Sequence, residues 1–197
     1  MSNPALATPV LLTDPGFLYW APLASALPAM TVVGSKFSVS WSTPWVPLGA
    51  TDAGTDFETN TNIQAVSVAE ILDPVAYRAT DRTSTISFAL ASVTASMLSK
   101  AFNGATLTTT YGTPSDATTE STKIDPVPLG SEVRAMIGWE SLDSTVRLVG
   151  YQCINGGSVK LSMNKAPAKA TIPWALNLEV PSAGVPWNIW TAGGNRA

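Results

Sequence analysis

Three carboxylates fall within seven residues in TDAGTDFET: Asp52, Asp56 and Glu58. Clustered oxygen ligands are what a calcium ion takes, but this spacing lacks the glycine and the closing glutamate of an EF-hand loop. A solvated acidic loop is the better reading. Carboxylate pairs for glycoside hydrolysis form in space rather than in sequence, and no pair stands out among the 14 acidic residues. The chain has no histidine, which removes the commonest general base, nucleophile activator and metal ligand together. Ser–His–Asp and Cys–His arrangements therefore cannot be built within it. Neither G-x-x-x-x-G-K-[ST] nor G-x-G-x-x-G occurs, so the phosphate-cradle motifs are missing as well. Cys153, the single cysteine, allows no intrachain disulfide and sits in an apolar run where a buried thiol is expected. These absences point away from an enzyme, and no catalytic, metal-binding or cofactor-binding residue is assigned.

The seven tryptophans invite a different chemistry, since indole faces stack on sugar rings. Trp41, Trp139 and Trp174 belong to apolar faces of expected strands, where core packing is the stronger reading. Trp20, Trp45, Trp187 and Trp190 lie in proline-rich segments and need a cover, either a neighbouring subunit or the chain's own core. The net charge of −3 excludes little, yet it is unevenly spread. Residues 1–143 carry 13 acids and 6 bases, and residues 144–197 carry 1 acid and 5 bases. No basic run and no recognition-helix pattern supports conventional nucleic-acid binding. A surface that lets DNA slide past needs the opposite character: small, polar, and neutral or acidic.

Residues of these kinds must be positioned by strands. With 45% hydrophobic and only 13% charged residues over 197 positions, the chain suits one compact domain rich in small polar β faces. Residues 1–32 read as an N-terminal arm, 33–181 as the domain and 182–197 as a C-terminal arm, with Trp20, Trp187 and Trp190 as arm anchors. The N-terminal arm has an alternative reading, a strand laid against the chain's own core. No basic residue precedes Lys36, so a secretory signal would lack its charged start, and the early apolar run is broken by Pro22 and Pro28 before it could span a bilayer.

Alternation predicts a strand over 33–42, with Phe37, Val39 and Trp41 on one face and Ser38, Ser40 and Ser42 on the other. A long loop or protruding hairpin follows, then a second strand over 62–72 carrying Gln64 and Glu70. Ile86, Phe88 and Leu90 mark a core strand. Beyond it a helix over about 94–102 is expected, with Ser92 or Thr94 as cap, Met97, Leu98 and Phe102 as its apolar stripe and Gly104 at its end. Further strands are expected near 107–111, through Val133–Trp139, over 146–151 and over 172–180 with Trp174 and Leu176. Asn155-Gly156-Gly157 reads as a hairpin turn leading to Val159, Leu161 and Met163. The sum is a mainly β protein, an antiparallel β-sandwich or barrel with one flanking α-helix.

Several stretches in this order resemble a known family. They are WVPLGATDAG, AVSVAEILDPV, ATDRTSTISFALASVTASMLSKAFNG, RAMIGWESLDSTVRLVGYQC and NKAPAKATIPWALNLEV, within approximately 33–180. Together they are similar to the major tail, or tail tube, protein of long non-contractile-tailed bacteriophages. The proline-rich N-terminal arm is not explained by the likeness. The resemblance implies hexameric rings stacked head to tail, with a lumen formed by strands 33–42 and 62–72. Ser38, Ser40, Ser42, Gln64 and Glu70 would then face the channel, or Ser67 and Ala69 on the other register. Trp45, Asp52, Asp56 and Glu58 would reach Lys165 and Lys169 of the next ring. Expected partners are further copies of the chain, the tape measure protein, tail-tip and terminator proteins, and double-stranded DNA passing without sequence-specific contact. The implied location is the virion tail, assembled in the host cytoplasm, with no membrane and no cofactor involved. A phage decoration or adhesin-like sandwich, binding capsid or glycan through exposed tryptophans, is the competing reading.

Overall fold

A computed structural model describes residues 15–66, 73, 75–91, 94–110, 121–160, 171–182 and 184–193. The architecture is mainly β and antiparallel, with one helix among the described residues. Its strands are β1 (Gly16–Pro22), β2 (Val32–Val33), β3 (Lys36–Phe37), β4 (Val46–Gly49), β5 (Thr51–Val66) and β6 (Ala76–Leu90). After the helix α1 (Ala95–Ala101) come β7 (Thr106–Thr110), β8 (Ser121–Asp125), β9 (Ala135–Ser141), β10 (Val146–Asn155), β11 (Ile172–Leu178) and β12 (Trp187–Thr191). The main sheet runs β4-β1-β9-β10-β11-β6-β5, with β12 added beside β10. Only Ala50 separates β4 at one end of that order from β5 at the other. The sheet therefore rolls round on itself.

What it rolls around is an apolar cluster fed by nearly every strand. Leu18, Leu48, Ile86, Phe88, Leu90, Ile137, Leu148, Ile172, Trp174 and Leu176 all point into it, and Ala101 of α1 joins them. The period-2 pattern explains this directly: in β6, Ile86, Phe88 and Leu90 are buried while Ser87 and Ala89 are half-exposed. The three central strands are covered on their other face too. Ala21, Met136, Val149 and the buried Trp45 form a second cluster there, with Tyr19, Trp41, Tyr151 and Trp190 against it. Strands covered on both sides read as continuous apolar runs, as β10 does.

Four expectations need correction. Residues 33–42 are not one strand. Gly34 and Ser35 both take positive φ, 56° and 64°, and fold β2 back on β3 in a tight turn. From Ser38 the chain leaves the ladder and lies across the second cluster. Second, Thr51–Val66 is one strand, so the stretch before Asn62 is not a loop; apart from a break between Thr51 and Thr55 it pairs with β6, and Asp56 and Glu58 stand on the ladder while Asp52 falls in the break. Third, where they are described the expected arms belong to the main sheet, which for the N-terminal stretch is its alternative reading, a strand against the chain's own core. β1 pairs with both β4 and β9, and β12 pairs with β10 from Val146 to Gly150. Their prolines and aromatics had hidden strands whose two faces are both apolar. Fourth, the end of β10 pairs with β11, and Val159 after Asn155 is in no strand; Leu161 and Met163 of the expected hairpin lie outside the described residues. The Asn155 side-chain oxygen accepts from the amides of Gly157 and Ala175.

The helix lies where the spacing predicts it. Thr94 caps it, its hydroxyl accepting from the Met97 amide at 3.2 Å. Asn103 and Gly104 follow with φ of 55° and 95°, which release the chain after Ala101. At seven residues it depends on docking. Asn103 and Asn155 exchange side-chain and backbone hydrogen bonds at 3.0 and 2.8 Å, and Asn155 also donates to the Ala101 carbonyl, tying the helix end to β10. Met97 and Leu98 are half-buried against the core, but Phe102 remains 39% exposed, so Ala101 takes the place expected of it.

Candidate functional site

The hairpin of β5 and β6 is the feature that the core does not account for. Its inner half packs on the core as the end of the main sheet, with Phe57 opposite Ile86 and Thr55 opposite Phe88. Beyond Ser84 burial stops: Ala76–Thr83 is exposed along its whole length, as are Asn62–Val66 on the facing strand. Eight strand residues reach about 26 Å. The ladder continues to Val66 opposite Ala76, with one register shift between Asn62 and Ile63. A two-stranded ribbon of this kind is marginal in water, and among the described residues no third strand pairs with either of its outer edges.

Cross-strand partners share a face, so the register sorts the side chains. One face carries Asp56, Glu58, Asn60, Asn62 and Gln64, opposite Ser87, Thr85, Thr83, Asp81 and Arg78. It is small, polar and net acidic. The other face continues the core side outward through Thr59, Thr61, Ile63 and Ala65, opposite Ser84, Arg82, Ala79 and Tyr77. There Ile63 is 61% exposed and Tyr77 71%. The ribbon is thus amphipathic with both faces open.

The expected site residues separate accordingly. Gln64 stands on the polar ribbon face together with Asp56 and Glu58. Ser38, Ser40 and Ser42 are exposed but lie off any strand, in the segment crossing the second cluster. Glu70, Ser67, Ala69, Lys165 and Lys169 lie outside the described residues. Trp45 is not a surface contact: it is buried, its indole N–H donates to the Ala26 carbonyl at 2.8 Å, and its ring meets Trp41 edge-on. Trp187 donates to the Ser84 hydroxyl at 3.0 Å and packs edge-on against Phe57, and Trp190 is half-buried on the second cluster. Trp20 borders the main core, with the Lys100 ammonium 5.2 Å from its ring centre. All these anchors are held by the chain itself.

Sequence reasoning passed over Arg147 and Glu140. They are directly opposite on β10 and β9, both buried, with Arg147 Nε 3.1 Å from the Glu140 carboxylate. Trp41 donates its indole N–H to the same carboxylate, and Arg147 donates to the Val39 carbonyl. The guanidinium also stacks 4.6 Å from the Phe37 ring centre. This centre fastens the 37–41 segment onto the sheet, which is why Phe37 and Trp41 cover core without being in a strand. Gly138 leaves the slot, since any Cβ there would strike Trp41. The signal was available in the alternation of β9 and β10, where Glu140 and Arg147 occupy positions that ought to be apolar.

Titration is perturbed at structural positions. Hydrogen bonds from Gln152 and Arg134 hold the Glu179 carboxyl below its usual range, and those from Ser141 and Thr145 do the same for Asp143. Burial pushes the Cys153 thiol up to about 12, which makes it inert at neutral pH. Among the described residues no group of three or more metal-ligating side chains comes together, and no helix is long and apolar enough to cross a membrane. No protein-family model matches this chain, and no curated protein matches it.

Proposed function

We propose that this chain is a structural subunit that assembles with copies of itself into rings stacked as a tube, in the manner of the tail tube proteins it resembles. The observation that carries the reading is the β5–β6 ribbon, exposed on both faces beyond Ser84. A monomer gains little from holding such a ribbon out. In a closed ring, the free β5 edge of one copy can pair with the free β6 edge of the next, which satisfies both. The polar face, with Asn60, Asn62, Gln64 and Thr83, would then line the bore, and Ile63 and Tyr77 would be buried against neighbouring copies. Asp56 and Glu58 move from the ring-stacking role to the lining, because they share the face of Gln64. The lining is mostly polar and net acidic, with Arg78 opposite Gln64 as its one cation among the described residues, and so gives phosphates little to hold.

The competing sugar- or capsid-binding sandwich needs an aromatic platform. None of the seven tryptophans is in the exposed class. Tape measure, tail-tip and terminator proteins are proposed as partners on the resemblance alone, as is the virion tail as location.

Electron microscopy of the concentrated protein, alone and with preformed tail tips, tests the reading. Rings or tubes with an open bore are the expected outcome, and they should be lost in Ile63→Lys with Tyr77→Lys while the melting temperature stays within a few degrees. Particles that remain monomeric under both conditions, or a double variant that assembles as well as the parent, would overturn it.

A further inference from the structure

A cavity of about 240 Å³ opens between α1 and the strands β9, β10 and β11. Trp20, Ile137, Cys153, Trp174 and Leu176 give it apolar walls. Its volume suits a ring with a short substituent, since an apolar cavity of about 150 Å³ already takes benzene. Trp174 is 3% exposed, and its indole N–H is buried with no hydrogen-bond partner. Nor does that N–H point into the Phe88 ring, because the two rings are stacked, 24° from parallel. A buried donor left unpaired is costly, so its retention needs a reason.

The other polar groups of the wall are largely engaged. Ser99 donates to the Ala105 carbonyl, and Asn103 and Asn155 bond to each other and to the surrounding backbone. Lys100 is the exception. It is half-buried beside the Trp20 ring, and its ammonium gives one proton to the Ser96 hydroxyl at 2.6 Å. It meets no carboxylate among the described residues, and burial holds its pKa below the usual lysine value. Two of its three protons remain for a ligand. No Asp or Glu lines the cavity among the described residues. The groups left over are donors, one cationic and one neutral, which selects an acceptor of single negative charge over a phosphate.

We propose that this cavity binds a small organic carboxylate, an aromatic or short-chain acid. Its apolar body lies between Trp20, Ile137 and Leu176, and its oxygens accept from the Lys100 ammonium and the Trp174 N–H. No described residue of β5 or β6 lines the cavity, so the site stands independently of the ribbon and of ring formation.

Sodium benzoate and sodium hexanoate, titrated into the isotope-labelled full chain, test it, with toluene as the ring without an acid. The Trp174 indole resonance, identified by its loss in Trp174→Phe, should move downfield at millimolar acid. Those of Trp45 and Trp187, already bonded to Ala26 and Ser84, should stay in place. Benzoate should also raise the melting temperature by binding the folded state. Lys100→Met, at a half-buried position on the helix, should keep the parent's melting temperature without acid and bind benzoate at least about tenfold more weakly. The proposal fails if neither acid moves the Trp174 resonance, if toluene binds as tightly as benzoate, or if Lys100→Met binds like the parent.

Discussion

Two buried charges set the chemistry at the scale of single residues. Arg147 is wholly buried and Glu140 nearly so, and neither could be left alone in that environment. Taking the guanidinium away strands the carboxylate, a change that costs about 3–5 kcal/mol in buried pairs, whereas replacing both partners by apolar groups is often neutral. Arg147→Met should therefore lower the urea midpoint sharply, and Arg147→Met with Glu140→Met should recover much of the loss. A double variant no better than the single one would mean that the Val39 and Trp41 hydrogen bonds, not the ion pair, hold the segment. Glu179 makes a second, milder test. Its folded pKa is depressed, chiefly by the Gln152 hydrogen bond at 2.7 Å and then by Arg134. The contribution is thus complete above the ordinary carboxylate value of about 4.3 and is lost as pH falls through the lower folded value. Gln152→Leu should therefore lower stability near pH 8 and flatten the acid limb, variant and parent converging as pH falls below the carboxylate range, as urea titrations at several pH values would read. Neither network was read from the sequence. The two strands mark Glu140 and Arg147 as charges in apolar surroundings, but nothing in the sequence says that a segment from Phe37 to Trp41 lies over them.

Elements were easier to read where periodicity had one meaning. β11, α1 and the inner end of β6 lie close to their expected limits because alternation with one buried face, or a capped 3.6-residue stripe, has a single solution; the outer part of β6, from Ala76, was not expected. Gly104 illustrates how local that information is: its φ of 95° and the Val133 side chain 2.7 Å from a built Cβ both demand glycine. Gly104→Ala should cost more than about 1 kcal/mol in thermal unfolding, since the strained backbone and the contact add. A neutral effect would mean that the helix end can be redrawn. Elements with two apolar faces were misread. β1 lacks alternation because both its faces are covered and β12 is only five residues long and half-buried, so prolines and tryptophans suggested arms, with a strand on the core as the other reading of the first. In β5, threonine, glycine and acids suggested a loop or protruding hairpin before Asn62, while the strand expected from 62 onward is present as far as Val66, the last described residue there. What the sequence did not show is that both stretches are one strand, because its pairing partner and register come only from β6.

At the scale of the whole molecule, the sheet closes round one core and then sends a ribbon past it. That combination makes the proposed lining testable by charge. Asp56 and Glu58 stand on the polar face, opposite Ser87 and Thr85, and both are exposed. If this face lines a bore, Asp56→Lys with Glu58→Lys places two cations per subunit inside the tube without touching the apolar face that joins copies. Such tubes should still form and should retain short double-stranded DNA that parent tubes let pass. Retention should weaken steeply as salt is raised, since binding of this kind is driven by counterion release from phosphates. Filter retention of labelled DNA with assembled tubes, measured across a salt series, reads the difference. Loss of assembly in the lysine variant would instead place these carboxylates in the contact between rings, where the acidic segment was first expected to act. Retention of DNA by parent tubes at physiological salt would count against the bore itself. The two failures are separable because assembly is scored by microscopy before any DNA is added, and the ribbon's apolar face is common to both outcomes.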